Sequence, residues 1–506
     1  VRQLFRIDFQ LDKDSTVPLY LQLIEMLRKK ILSGEYPDGS KLPSVREIEQ
    51  LLGVSKNVVL KAMNELYVDD LVYREVGSGT YIRAKKEKGA DTGPIDWCKH
   101  LDTWYRHTHQ FKKRSPTSET ATRGLQVIFH NESPDDELIP HQLLKALTQR
   151  AMKSDIFMET VNYVEHPKGL RDLRKAICMR LGCNGESLKP ENVIVSGRNV
   201  ESEHLIFKAF TRQGEAVVIE NPTNMNVLGI LKTLHLKVIP VRRSIEGIDL
   251  NQLEDVLRKN SVKLVYLQST AGEPMGTTMP DRKKQELVRL AASHRVPIVD
   301  DLTGGSEFQY TGKTPFPMRH FEEDNVVFEI HDIVKTFGAG VTTGWIVGPD
   351  KALDILWSSM RVMERDVAGL LQLVTNEILN SEFYDHHLSF VHEKLTKRRE
   401  LLIHACNRYL PSYAKANICD SGTSWWVELP KGFDVRDIRR NLNRKNIEIA
   451  PGNWFFNDER GYNFFRLGLY VKEEYIEPAL IEIGKTIERY RKHEFGSVTK
   501  FEYTSW

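Results

Sequence analysis

The sequence predicts an α/β chain in two parts: a small N-terminal unit of helices closed by a β-hairpin, and a much larger domain built on a mostly parallel sheet. Two observations carry this. Residues 41–82, KLPSVREIEQLLGVSKNVVLKAMNELYVDDLVYREVGSGTYI, run through a helix cap, a glycine stop, a second amphipathic helix and a glycine-turned hairpin. From Leu125 onward, short apolar runs alternate with helical stretches, as strands buried on both faces do. A length of 506 residues leaves room for two or three domains. The expected boundaries are 1–83 for the small unit, 84–124 for a linker, 125–495 for the large domain and 496–506 for a tail.

In the small unit, a first helix is expected from Pro18-Leu19-Tyr20 to Leu32, apolar at Tyr20, Leu23, Ile24, Leu27 and Ile31. Ser44 and Glu47 then form a capping box behind Pro43, each side chain satisfying a free N–H of the helix start. The helix they open carries Val45, Ile48, Leu51 and Leu52 as its apolar face and stops at Gly53. The next opens at Ser55 and buries Val59, Ala62, Met63 and Leu66, which leaves Lys56, Asn57 and Lys61 outward. Two short helices across a tight turn make a helix-turn-helix, whose second helix fits the major groove of DNA. Leu71–Arg74 and Thr80–Ile82, joined through Gly77-Ser78-Gly79, read as its two-stranded wing.

Residues 5–83 resemble the winged-helix domain of GntR-family bacterial transcription regulators. The resemblance implies contacts with double-stranded operator DNA from Arg46, Ser55, Lys56, Asn57, Lys61 and the wing glycine Gly77. An isolated basic residue on a helix is usually just solvated. Here cap, turn, helix and wing stand together in order, which favours DNA.

Composition adds little. Lys+Arg 71 against Asp+Glu 69 gives a net charge of +2, so phosphate contacts must come from a local patch. The FRIDFQL start is alternating and strand-like, unlike a signal peptide, and no apolar run approaches a membrane span. The five cysteines, 98, 178, 183, 406 and 419, show no metal-ligand spacing, and a reducing cytoplasm is expected. The stretch 84–124 is polar and basic, with one short aromatic cluster at Trp97, Leu101, Trp104 and Tyr105.

In the large domain the expected strands are VIVS, AVVIE, LKVIP, LVYLQ, VPIVDD, VVFEI and WIVGP. No dinucleotide fingerprint, Walker loop, nucleophile elbow or HExxH motif is present. The landmarks are Asn162-Tyr163, Pro167-Lys168-Gly169, Ser196-Gly197, Glu220-Asn221-Pro222, Pro274-Met275-Gly276, Asp300-Asp301, Lys335 before Gly338, Gly340 and Gly344, Pro451-Gly452 and Phe465-Arg466-Leu467-Gly468. In this order they resemble the fold-type I aminotransferase scaffold. Joined to the winged helix, that is the architecture of MocR-type regulators.

The resemblance implies a pyridoxal phosphate site: Lys335 as Schiff-base lysine, Asp301 as partner of the pyridine nitrogen, Gly197, Arg198 and Asn199 as the phosphate turn, and Arg466 as clamp for an amino acid's carboxylate. It also implies a homodimer. Several positions depart from the pattern. Thr303 replaces a tyrosine and Gly304-Gly305 lengthen its loop; Asn224 replaces a stacking aromatic. Asp332 and Thr342 replace a serine and an arginine at the phosphate, and Ala271, Gly272 and Glu273 replace polar cofactor contacts. A carboxylate beside a phosphate is repulsive. Taken singly, Lys335 also reads as an ion-paired lysine, Arg466 as a tie to a core carboxylate, Tyr163, Trp425, Trp426 and Trp454 as packing residues, and His331 as a packed histidine. Three readings remain open: a regulator sensing an amine or amino-acid-like effector through pyridoxal phosphate, the same regulator binding another ligand without it, and a working transaminase, which the departures disfavour.

Overall fold

The computed structural model describes residues 7, 9–12, 19–68, 71–75, 79–83, 127–162, 166–182, 188–311, 314–322, 324–338, 340, 343–363, 367–458 and 460–492. The expected linker and tail, and the calls on Gly77, Tyr163 and Thr342, lie outside these residues. The chain divides into two compact units, Val1–Thr122 and Arg123–Trp506.

The first unit contains helices α1 (Leu19–Leu32), α2 (Val45–Leu52) and α3 (Lys56–Val68) and the antiparallel strands β1 (Val72–Glu75) and β2 (Gly79–Ile82). The capping box at α2 is present: Glu47 N donates to Ser44 Oγ and Ser44 N to the Glu47 carboxylate, while Gly53 closes the helix in the left-handed region at φ 61°. Leu23, Ile24, Leu27 and Ile31 of α1 meet Ile48, Val59, Ala62, Met63 and Leu66 in one core. Leu51, expected in the apolar face of α2, is 58% exposed. At 100° per residue, Val45, Ile48 and Leu52 share a narrow stripe and Leu51 falls off its edge.

The second unit is organised on an eight-stranded sheet. Its strands are β4 (Val193–Ser196), β5 (Ala216–Asn221), β6 (Lys237–Ser244), β7 (Gly247–Ile248), β8 (Val262–Leu267), β9 (Ile298–Asp301), β10 (Val327–Asp332) and β11 (Gly344–Val347), in the order β4-β11-β10-β9-β8-β5-β6-β7. All seven runs expected from sequence are strands of this sheet. The pairings β10–β9, β9–β8, β8–β5 and β5–β6 are parallel; β11 runs against both neighbours, and β7 against β6. Alternate residues serve opposite faces. Val217, Ile219, Leu264, Val299 and Ile330 pack under one layer of helices, and Val218, Val265, Leu267, Ile298 and Val327 under another. Both faces are therefore covered, as a parallel sheet requires.

A smaller antiparallel sheet follows: β12 (Lys415–Asn417), β13 (Ser424–Glu428), β15 (Ala450–Pro451) and β16 (Phe464–Gly468), in the order β12-β13-β16-β15. A separate pair joins β3 (Val127–Ile128) to β14 (Ile447–Glu448). The long helices Phe383–Tyr409 and Glu473–Arg491 cover this region's core around Trp425, Val427, Phe465 and Leu467. The sequence reading assigned no strands here, because each is two to five residues long and lacks a clear alternation. Among the described residues no helix is long and apolar enough to cross a membrane, and no group of three acidic, cysteine or histidine side chains forms a metal site.

Candidate functional site

In the first unit, the expected DNA-contacting residues stand where a helix-turn-helix would present them. Arg46 on α2, and Ser55, Lys56 and Asn57 at the start of α3, are all exposed. Lys61 is exposed as well, and its ammonium lies 3.7 Å from the centroid of the Tyr20 ring on α1, a cation–π contact within the unit.

In the second unit, the chemistry gathers beyond the C-terminal ends of the parallel strands, where open α/β sheets bind their ligands. Asp301 ends β9, Gln268 follows β8, Asn224 lies just past β5, and Lys335 sits in the short helix Val334–Phe337 after β10. Arg466 reaches the same place from β16 of the smaller sheet. Lys335, Asp301 and Arg466, placed in one pocket by resemblance, are thus brought together, and they are linked by a residue with no expected role of its own.

That residue is Glu273. Its Oε1 lies 3.6 Å from Lys335 Nζ and 3.3 Å from Arg466 Nη1, and its Oε2 accepts from Asn224 Nδ2 at 3.1 Å. Lys335 is 7% exposed, Arg466 2% and Glu273 1%. Arg466 Nη1 also donates to Glu132 Oε1 and Ser424 Oγ, both at 3.2 Å, and Nη2 to the carbonyl of His130 at 2.9 Å. Burial opposes ionisation of Glu132, yet Lys335, Arg466 and His130 hold its carboxyl below the usual range. Burial and the adjacent Glu132 push Glu273 above it, against the pull of Lys335 and Arg466. Of the two, Glu273 gives up its charge first.

Asp301 is fully engaged. Thr303 donates to Oδ1 twice, from its backbone N at 3.0 Å and its hydroxyl at 2.7 Å, and Gln268 Nε2 donates to Oδ2 at 2.7 Å. The Tyr266 hydroxyl lies 2.9 Å from both Asp301 Oδ2 and Glu203 Oε1. Burial, and then Asp301, raise the Glu203 carboxyl well above its usual range. The single hydroxyl hydrogen of Tyr266 is thus shared between Glu203 and Asp301. Three donors and the shared Tyr266 hydroxyl surround the roughly four lone-pair sites of a carboxylate. Gln268 also accepts the Glu273 N–H at 2.8 Å, so the chain of hydrogen bonds runs unbroken from Arg466 to Glu203.

The loop after Asp301 is packed down. A Cβ on Gly304 would come within 2.4 Å of the Ala271 carbonyl oxygen, so this glycine lets the lengthened loop lie directly on the Ala271–Glu273 stretch. Thr303 occupies the position of the expected tyrosine and turns inward to Asp301.

The expected phosphate turn opens the helix Asn199–Phe210, with Gly197 and Asn199 half-buried and Arg198 exposed. Asp332 pairs with Gly344, and Gly344 with Ser196, so Asp332 and this turn share one edge of the sheet. Two acidic groups stand there beside Arg198. The Glu201 carboxylate lies so close over Gly197 that a Cβ there would fall 1.3 Å from its Oε2. Asp332 accepts from Val334 N at 3.1 Å, and burial pushes its carboxyl up to about 7.

Pyridoxal phosphate needs an acceptor for its ring nitrogen, a free lysine amine and donors for its phosphate. Both oxygens of Asp301 already meet protein donors, Lys335 faces a carboxylate, and among the described residues the phosphate end sets Glu201 and Asp332 against Arg198. The residues present do not fit the group.

The remaining side chains behave as packing residues. Trp425 and Trp426 are buried, and the Arg439 guanidinium lies over Trp454 at 4.9 Å. His331 stacks on Trp345 and meets Glu329 Oε2 at 3.1 Å. Sequence reasoning missed Glu132, Tyr266, Glu203 and Gln268. Only Glu273 left a signal, as an acidic residue where a neutral cofactor contact was expected.

Residues 19–82 match the family model described as bacterial regulatory proteins, gntR family, and residues 130–475 match that of aminotransferase class I and II. The chain is 29% identical over 474 residues to the HTH-type transcriptional regulator YdcR of Escherichia coli, covering 93% of this chain and 99% of that one. It is 22% identical over 452 residues to the HTH-type transcriptional regulator NorG of Staphylococcus aureus, covering 89% and 100%. Among solved structures, the multiple substrate aminotransferase of Thermococcus profundus superposes with a TM-score of 0.71 at 22% identity, over 79% of this chain and all (100%) of that one. The α-aminoadipate aminotransferase LysN of Thermus thermophilus gives 0.70 at 20%, with coverage of 79% and 100%.

Proposed function

Since the chain belongs to the aminotransferase class I and II family and joins that domain to a GntR-type helix-turn-helix, as MocR-like transcription regulators do, we propose that it is a regulator whose large domain senses a small amine-bearing effector. The winged helix binds operator DNA through Arg46 and the start of α3. Two copies read two half-sites as a homodimer in the cytoplasm. Of the sensors left open by the sequence, the one that works without pyridoxal phosphate is favoured, and turnover is not expected.

One observation carries this choice: both oxygens of Asp301 are occupied by protein donors, so the ring nitrogen of the cofactor has no partner. The test is a visible absorption spectrum of the purified protein during titration with pyridoxal phosphate, followed by borohydride reduction and peptide mapping. No band and no label at Lys335 are expected. A band with the label on Lys335 overturns the cofactor-free sensor and restores sensing through the Schiff base. Exchange of amino groups between an amino acid and a keto acid would establish a transaminase.

A further inference from the structure

The carboxylate clamp is already filled from within. Arg466 points both hydrogens of Nη1 at side chains of its own chain, Glu132, Glu273 and Ser424, and fixes Nη2 on a backbone carbonyl. A free amino acid's carboxylate binds arginine best through two parallel N–H donors. Here Nη1 is already taken and Nη2 already holds the carbonyl oxygen of His130, so the carboxylate would have to share the guanidinium with Glu273 and Glu132 and remain beside them. Arg466 and Lys335 already face three carboxyl groups, Glu132, Glu273 and Asp301, so a further carboxylate adds to an excess of acidic groups.

An ammonium meets the opposite situation. Glu273 Oε1 already faces one ammonium, that of Lys335, and its 3.6 Å separation is too long for a hydrogen bond. A second amine can therefore approach Glu273 without breaking a hydrogen bond to Lys335. One donor in this cluster is also unused: Arg466 Nε is buried and has no hydrogen-bond partner. It is free for a neutral acceptor that accompanies the amine.

We propose that Glu273 is the specificity-determining residue of this pocket, standing in for the carboxylate of an amino acid, so that the effector is an alkyl amine or diamine lacking an α-carboxylate. The inference rests on the sensor reading above and narrows its ligand class. Glu132 holds Arg466 from the other side and keeps the clamp closed when Glu273 moves to a ligand.

The experiment is isothermal titration calorimetry on the full chain, with 1,4-diaminobutane and L-alanine as probes. Wild type is expected to bind the diamine at least about tenfold more tightly than L-alanine. In Glu273→Gln the Arg466 guanidinium loses one carboxylate, and the preference is expected to reverse by about tenfold or more. Glu132→Gln provides a second variant that opens the clamp from the other side, and a loss of selectivity there supports the proposal even where Glu273→Gln does not fold. Equal binding of the two probes by wild type, or an unchanged preference in both variants, overturns the assignment of Glu273 while leaving the sensor intact. If neither probe binds wild type and neither changes operator affinity, the sensor reading fails together with the inference.

Discussion

The Thr303 hydroxyl lies 2.7 Å from Asp301 Oδ1, and its backbone N–H lies 3.0 Å from the same oxygen. A residue two positions past the strand end thus caps the carboxylate that terminates it. In the aminotransferase scaffold this carboxylate is expected to serve a ligand; here it serves its own loop. Gly304 makes that possible by lying against Ala271, while Gly305 faces Gly422 and Thr423.

Thr303→Val keeps the shape and removes the hydroxyl. With Asp301 buried, loss of a hydrogen bond to a charged group should cost about 1.5–3 kcal/mol. Urea denaturation is expected to show a lower midpoint at unchanged slope. Thr303→Ser should recover most of the loss. A Val variant as stable as wild type would mean that Asp301 does not depend on this donor.

Repairing the phosphate end should not restore cofactor binding by itself. Asp332→Ser with Thr342→Arg removes a carboxylate and supplies a guanidinium, but leaves Asp301 engaged. No visible band is expected from this double variant on adding pyridoxal phosphate. Adding Thr303→Val frees a lone pair on Asp301, and a band is expected first in the triple variant. A band in the double variant would show that the engagement of Asp301 is not the obstacle.

The pH dependence of stability follows from buried carboxyls. Burial raises Asp300, Glu322 and Asp332 each to about 7. Hydrogen bonds from Ser269 to Asp300, from Val326 and Val327 to Glu322, and from Val334 to Asp332 oppose the rise. Lys335 pulls Asp332 down, while Asp301 and Glu307 push it up. The unfolded chain loses these protons near pH 4, whereas the folded chain holds them until about 7, so the folded state binds more protons in between. Stability contributed by these groups is full below pH 4 and falls as pH rises to about 7, after which the contribution is flat. Asp332→Asn should remove its share, on the order of a few kcal/mol at pH 8, and make the variant the more stable protein there. Thermal melts from pH 5 to pH 8 check this. A variant that melts lower than wild type at pH 8 would mean that the Asp332 cap on Val334 outweighs the burial of its charge.

Much of this molecule was legible in its sequence, and the limits have physical causes. The capping box at Ser44 and Glu47 could be read because it is local: three residues and one backbone geometry decide it. The seven strands were legible because burial on both faces leaves continuous apolar runs. Asp301 could be placed at the end of a buried strand, and Lys335 came from the resemblance and the glycines that follow it. What Glu273 does was not legible. Its partners Lys335 and Arg466 are 62 and 193 positions away in the chain, and no local pattern records such a pairing. Leu51 and the short strands around Arg466 failed for a related reason, since one helix turn or a pair of residues carries too little periodicity to fix a face.

The winged helix allows two basic residues to be separated by role. Arg46 is exposed on α2, directly after Val45, and Glu47 beside it is tied up in the helix cap. Its guanidinium can reach phosphate without giving up any of the unit's core. Arg46→Ala should therefore weaken operator binding and lower the salt slope by about one, with stability changed by no more than about 0.5 kcal/mol. Lys61 already has a structural task, since its ammonium sits 3.7 Å from the Tyr20 ring centroid and ties α3 to α1. Lys61→Ala is expected to cost about 0.5–1 kcal/mol of stability and to leave the salt slope unchanged, because the aromatic contact holds its ammonium against α1 and away from phosphate. Fluorescence anisotropy on operator DNA at several salt concentrations, together with denaturation of each variant, measures both quantities. A reduced salt slope in Lys61→Ala would return Lys61 to the DNA surface, and an unchanged one in Arg46→Ala would remove Arg46 from it.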